Sequence, residues 1–192
     1  EPKAAALKLR IARLLEPLYE ADELWKDLVG NLRTQREMAT GTEAALLAAR
    51  IAQLEESELG NTRAAFDAWL EVLRLEPSDE RARTELPRLA QWLDRWPEAT
   101  AALEAAVEAT PEGDVATRGA LLGELATYYD VQLGDAPRAI TAYRRLLDAD
   151  LASPATTRRV SAALARLYEE GKAWPELRGI LRRQAEWVEE IA

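Results

Sequence analysis

Residues 121–151 read LLGELATYYDVQLGDAPRAITAYRRLLDADL, and their spacing decides the fold. Leu121, Leu125, Tyr128, Tyr129 and Leu133 recur at three- and four-residue intervals, as do Ala139, Ile140, Tyr143, Leu146 and Leu147. Each set makes a stripe wider than a coiled-coil seam, as a helix needs when it touches more than one neighbour. Between the sets, Gly134 can end one helix and Asp135 can cap the next, so the segment predicts a helix hairpin. The hairpin has an earlier counterpart, in which Leu47, Ala52, Leu59, Gly60, Ala65, Ala68 and Leu73 match Leu121, Ala126, Leu133, Gly134, Ala139, Ala142 and Leu147. A longer echo joins the two ends of the chain: Leu15, Leu18, Tyr19, Glu20, Trp25, Leu28, Leu32 and Gln35 return as Leu164, Leu167, Tyr168, Glu169, Trp174, Leu177, Leu181 and Gln184. Fixed-period self-similarity is the mark of a solenoid, here with a period of about 75 residues made of two unlike hairpins.

Composition agrees with an all-helical chain. Ala, Leu, Glu and Arg dominate the 192 residues, Phe occurs once, and hydrophobic residues make up 48%. These are strong helix formers, and no run of β-branched residues supports a strand. The repeat divides the chain into about ten helices in five hairpins, at 4–38, 43–75, 79–109, 115–149 and 154–190. Gly41, Gly60, Gly113, Gly134 and Gly171 sit at the junctions, where positive φ can end a helix. Ser153-Pro154 gives a cap followed by proline in the first turn, and Pro97 and Pro175 open second helices in the same way. Pro17 and Pro87 fall inside predicted helices, where a kink or a break is expected.

On these residues the chain resembles the tetratricopeptide repeat family. Leu121, Leu125-Ala126, Tyr129, Gly134, Ala139, Tyr143 and Leu147 fit its pattern, and Leu151 stands where its closing proline belongs. Residues 47–77 fit with Ile51-Ala52, Gly60, Ala65, Trp69, Leu73 and Pro77. One extra residue separates Tyr129 from Gly134, and Glu55 replaces the family's tyrosine in the earlier unit. The other three hairpins keep little beyond an aromatic residue and the tryptophan. Armadillo, HEAT and Sel1-like arrays are rival helical solenoids, but hairpins near 36 residues favour the tetratricopeptide reading. The resemblance implies an all-α, right-handed α-solenoid over residues 1–192. The ends lack polar capping helices, so a segment of a longer array is the expectation.

The inventory argues against catalysis. The chain has no His and no Cys, and its net charge is −9. The commonest general base and the usual transition-metal ligands are therefore missing, and no cofactor is expected. No phosphate loop or calcium loop appears. Acidic pairs such as Glu169-Glu170 sit near basic residues, as on a solvated helix face. Negative charge without a basic stripe argues against nucleic acid, and no apolar run is long enough to insert into a membrane. With no signal-like stretch, a cytoplasmic location is the mild expectation.

The remaining class is protein recognition. In the family the first helix of each hairpin lines a concave groove that takes a peptide. Carried onto matching positions, the groove residues are Arg10, Arg13, Gln53, Gln91, Thr127, Arg159 and Arg166, with Glu56, Asp94, Asp130 and Glu169 beside them. Arg can grip carboxylates bidentately and Gln can pair with a peptide backbone. The Lys/Asn set by which some members hold a chaperone's terminal carboxylate is missing, so no chaperone partner follows. A protein or peptide scaffold is the leading expectation, followed by end-to-end self-association and then by a regulatory part of a multidomain enzyme. Trp25, Trp96 and Trp174 are expected to pack between hairpins, while Trp92 or Trp187 could be an exposed anchor.

Overall fold

A computed structural model describes residues 2–149 and 153–189, with side chains for 3–149 and 153–185. Among the described residues there are ten α-helices and no strand: α1 (Pro2–Ala21), α2 (Trp25–Met38), α3 (Gly41–Ser57), α4 (Thr62–Leu75), α5 (Glu80–Leu93), α6 (Trp96–Ala109), α7 (Val115–Thr127), α8 (Ala136–Asp148), α9 (Pro154–Glu170) and α10 (Trp174–Glu189). The chain forms two compact units, residues 1–109 and 110–192. In the first, α1/α2, α3/α4 and α5/α6 are successive hairpins, and α2 also packs on α3 and α4 on α5. In the second unit, α7/α8 and α9/α10 repeat the arrangement. The architecture is all-α and fits tetratricopeptide-like repeats. Leu151 and the Trp187 side chain lie outside the described residues.

Small residues make the close packing possible. Ala44, Ala45, Ala48, Ala49 and Ala52 are all buried on α3, and Ala65 and Ala68 on α4. With only methyl groups between them, the two backbones approach closely, and Phe66, Trp69, Val72 and Leu73 fill the space on either side. In the second unit Leu121, Leu122, Leu125, Tyr129 and Leu146 do the same.

The caps were placed by sequence chemistry. The side chains of Asn61, Asp79, Asp114, Asp135 and Ser153 each accept a hydrogen bond from a backbone N–H in the first turn of the following helix. The junctions fall into two kinds. Gly60 and Gly134, at φ of 61° and 62°, turn the hairpins of the stronger repeat. In the other three hairpins the left-handed residue is Glu23, Asp94 or Lys172, two positions before the tryptophan. This corrects the expectation for Gly171, whose φ is −79°; the turn has moved one residue on, to Lys172. Gly113 also lacks positive φ, whereas Gly41 has it, at 56°.

Two further expectations meet their outcome here. Helices α1 and α5 run through Pro17 and Pro87 without a break, carried by packing on their neighbours. After α7 the chain makes a π-helical turn, Tyr128–Gln132, which the first unit, with the same five-residue spacing from Glu55 to Gly60, does not have. Tyr129 stays buried and Gly134 still reaches its left-handed junction.

Candidate functional site

In the first unit, charges on successive first helices pair with one another. Arg13 of α1 donates to Glu43 of α3 at 2.9 Å, and Arg50 of α3 reaches back to Glu16 and to Glu20, the latter at 2.9 Å. Arg88 of α5 joins Glu56 of α3 at 2.7 Å and its own Glu85 at 2.5 Å. These carboxylates hold the Arg88 guanidinium above its ordinary value. Pairs this exposed contribute little stability, but they occupy cations that a ligand would otherwise find free. Arg13 is therefore already engaged. Arg10 is exposed and makes no ion pair among the described residues.

Between α3 and α5 lies a cleft of about 280 Å³, lined by Gln53, Glu56, Ser57, Arg81, Glu85 and Arg88, with Trp69 contributing. Arg81, Glu85, Arg88 and Trp92 follow the spacing that puts residues on one helix face. Trp92 is 80% exposed, and Gln91 beside it is exposed too. On α3, Leu46 and Gln53 are two turns apart on one face, and both are exposed. Polar groups with open hydrogen-bonding capacity and two bare apolar side chains thus share the exposed faces of neighbouring helices. Leu46 went unnoticed in the sequence, though its two-turn spacing from Gln53 is a readable signal.

The second unit has its own cleft, of about 430 Å³, between α7 and α9. Gly119, Ala120 and Gly123 leave one side thin, and Glu124, Thr127, Tyr128, Thr156 and Arg159 line the rest. Thr127 and Arg159 are therefore brought together. The Thr127 hydroxyl donates to the Gly123 carbonyl at 2.8 Å. Arg166 is committed elsewhere: it donates to both Asp130 carboxylate oxygens at 2.6 Å and to Glu170 at 3.1 Å. These partners hold its guanidinium above its ordinary value. The Asp130 side chain is nearly buried, and it also accepts from the Tyr143 hydroxyl at 3.3 Å. Burial pushes the Tyr143 phenol upward; the Thr127 hydroxyl opposes this and the Asp130 charge reinforces it. The π-helical turn carries Asp130.

Of the three tryptophans expected to pack, Trp96 is 6% exposed and Trp25 half-buried, but Trp174 is 57% exposed. The last departs from expectation: among the described residues α10 makes no contact with α8 comparable to that of α6 with α4. Among the described residues, no three acidic side chains are placed to hold a metal ion, and no helix is long and apolar enough to cross a membrane.

No family model matches the chain. No curated protein matches it either. A solved structure titled "MamA RS-1 ArsTM double mutant" aligns with 92% of this chain and 96% of its own at 16% identity, with a TM-score of 0.42. The all-α repeat fold accordingly stands on the helices and junctions of this chain itself.

Proposed function

We propose that the chain is a non-catalytic scaffold that binds a peptide or protein along the exposed faces of its first helices. One observation carries the reading: Trp92, 80% exposed, continues the helix face whose Arg81, Glu85 and Arg88 line the α3–α5 cleft. Exposed tryptophans beside polar groups concentrate binding energy. Gln53 and Gln91 offer donors and acceptors to an extended main chain, and Leu46 adds a second apolar contact. Thr127 and Arg159 form a second site of the same kind, in the second unit's cleft. With the chain's own carboxylates holding Arg13, Arg88 and Arg166, recognition here rests on amides and apolar contact more than on charge. Peptides selected against the whole chain from a random display library test this. Trp92→Ala should weaken the selected binders about tenfold or more while leaving the circular dichroism unchanged. Binders indifferent to Trp92, Gln53 and Arg159 substitutions would sink the proposal.

A second reading is favoured by α1. Leu7, Ile11, Leu14 and Leu18 form an exposed stripe along it. Their repeat counterparts include Val160 and Leu167, which are buried on α9, where α8 packs against it. On α10, Leu181 is exposed where its counterpart Leu32 is buried on α2, which packs against both α1 and α3. A second copy of the chain supplies both missing partners at once if its α10 seats on α1. Such a contact is heterologous and need not close into a ring. Light scattering should then show mass rising with concentration, and Leu18→Glu should abolish the rise. A monomer at all concentrations would remove this reading and leave the scaffold untouched.

A further inference from the structure

The two units contain the same junction in two states. In the first, Arg95 precedes Trp96-Pro97-Glu98, and its guanidinium lies 4.7 Å from the centre of the Phe66 ring on α4. It also pairs with Asp67 of α4 at 2.6 Å and with Glu98 at 2.9 Å. Helices α4 and α6 are in contact, and Trp96 is buried. An aromatic ring, an arginine and two carboxylates thus clasp one second helix to the next.

In the second unit every part of that clasp but one has changed. The repeat places Ile140 at the Phe66 position, Thr141 at the Asp67 position and Ala173 at the Arg95 position. Only the acid persists, as Glu176 in Trp174-Pro175-Glu176. It has no ion pair among the described residues. Helix α10 packs on α9 but makes no comparable contact with α8 among the described residues. A cleft of about 570 Å³ opens there, lined by Ile140, Arg144, Leu167, Tyr168, Ala173 and Glu176 among others. Trp174, at the start of α10, stands 57% exposed beside it.

We infer that this cleft is a binding site for a partner segment bearing an aromatic side chain next to an arginine. The partner restores from outside two of the three groups that the chain has lost, the ring and the arginine. Its ring rests on Ile140 and Leu167, where shape and apolar surface are already present, and reaches the exposed Trp174 that adjoins Ala173 at the cleft's edge. Its guanidinium pairs with Glu176, as Arg95 pairs with Glu98, and stacks against the incoming ring. The site is separate from the α3–α5 cleft, so it stands or falls independently of the scaffold reading.

The test uses the whole chain, with its tryptophan indoles labelled with nitrogen-15 and the Trp174 signal assigned through Trp174→Phe. A capped Phe-Arg peptide should shift that signal saturably. Glu176→Gln, or Gln in place of the peptide's Arg, should weaken binding about fivefold, and Ala in place of its Phe should abolish it. Ala173→Arg combined with Ile140→Phe and Thr141→Asp should close the clasp from within: the Trp174 indole becomes as protected from acrylamide as Trp96, and the peptide no longer binds. Three results would overturn the inference. They are no saturable shift, binding unchanged by Glu176→Gln, or a Trp174 already protected in the free protein.

Discussion

At the scale of single residues, capping acids and buried carboxylates show how little separates a structural charge from a solvated one. Asp79 caps α5 through the backbone N–H groups of Arg81 and Ala82, and the Arg81 guanidinium pairs with it at 2.8 Å. Burial raises its carboxyl, but these hydrogen bonds outweigh burial and hold it below its ordinary value of 3.8. A depressed carboxyl stabilises the fold in its charged form, so its contribution is intact above 3.8 and fades as pH falls through the lowered value. Asp79→Ala should therefore cost about 1 kcal/mol near neutrality. Urea titrations of both forms should show that difference shrinking below pH 3.8, and a difference independent of pH would count against the cap. Glu55 makes a contrasting case. It is buried where the repeat pattern calls for tyrosine, and Arg33 of α2 compensates by donating to it at 2.5 Å. Its counterpart in the second unit is Tyr129, so the acid is unusual at this place in the repeat. The arginine that satisfies it lies on another helix, at a distance in sequence that only folding resolves.

At the scale of helices and junctions, the punctuation was largely legible because it depends on local chemistry. Asn61, Asp135 and Ser153 are caps by virtue of their own side chains, and Gly60 and Gly134 reach positive φ because glycine has no Cβ. What escaped reading depends on context. Lys172 takes the left-handed turn beside an available Gly171, since the short junction before Trp174 repeats the geometry of Glu23 and Asp94. Pro17 and Pro87 read locally as interruptions, yet tertiary packing keeps both helices whole. Each proline still removes a backbone donor and crowds the preceding turn. Pro17→Ala and Pro87→Ala should accordingly each raise stability by about 1–3 kcal/mol, measured as a higher urea midpoint at unchanged slope. A lower midpoint would mean that the proline ring itself is needed for packing. Charge pairing was the least legible part of the candidate site. Nothing in the sequence around Arg13 or Arg166 announces Glu43 or Asp130 as its partner, because those acids lie on the next or the preceding first helix.

At the scale of the whole molecule, the two compact units meet in sequence at Thr110, which is buried, and the segment that follows it, Pro111 to Asp114, is exposed. Exposed connections between well-packed units are preferred sites of proteolytic nicking. Limited proteolysis should cut first within 111–114 and leave fragments of the two units. A first cut inside α3 or α7 would contradict that partition. The π-helical turn has a further bearing on how such a chain can change. A residue inserted into an ordinary helix rotates everything beyond it by about 100°, turning buried positions outward. Hairpins 43–75 and 115–149 share the same five-residue spacing, Glu55 to Gly60 and Tyr129 to Gly134, one without a π-helical turn and one with it, and both reach a left-handed glycine and then a buried alanine, Ala65 or Ala139. The same junction is therefore reached through two windings of the preceding turn, so its place is set by the glycine and the buried alanine rather than by the winding of the helix before it.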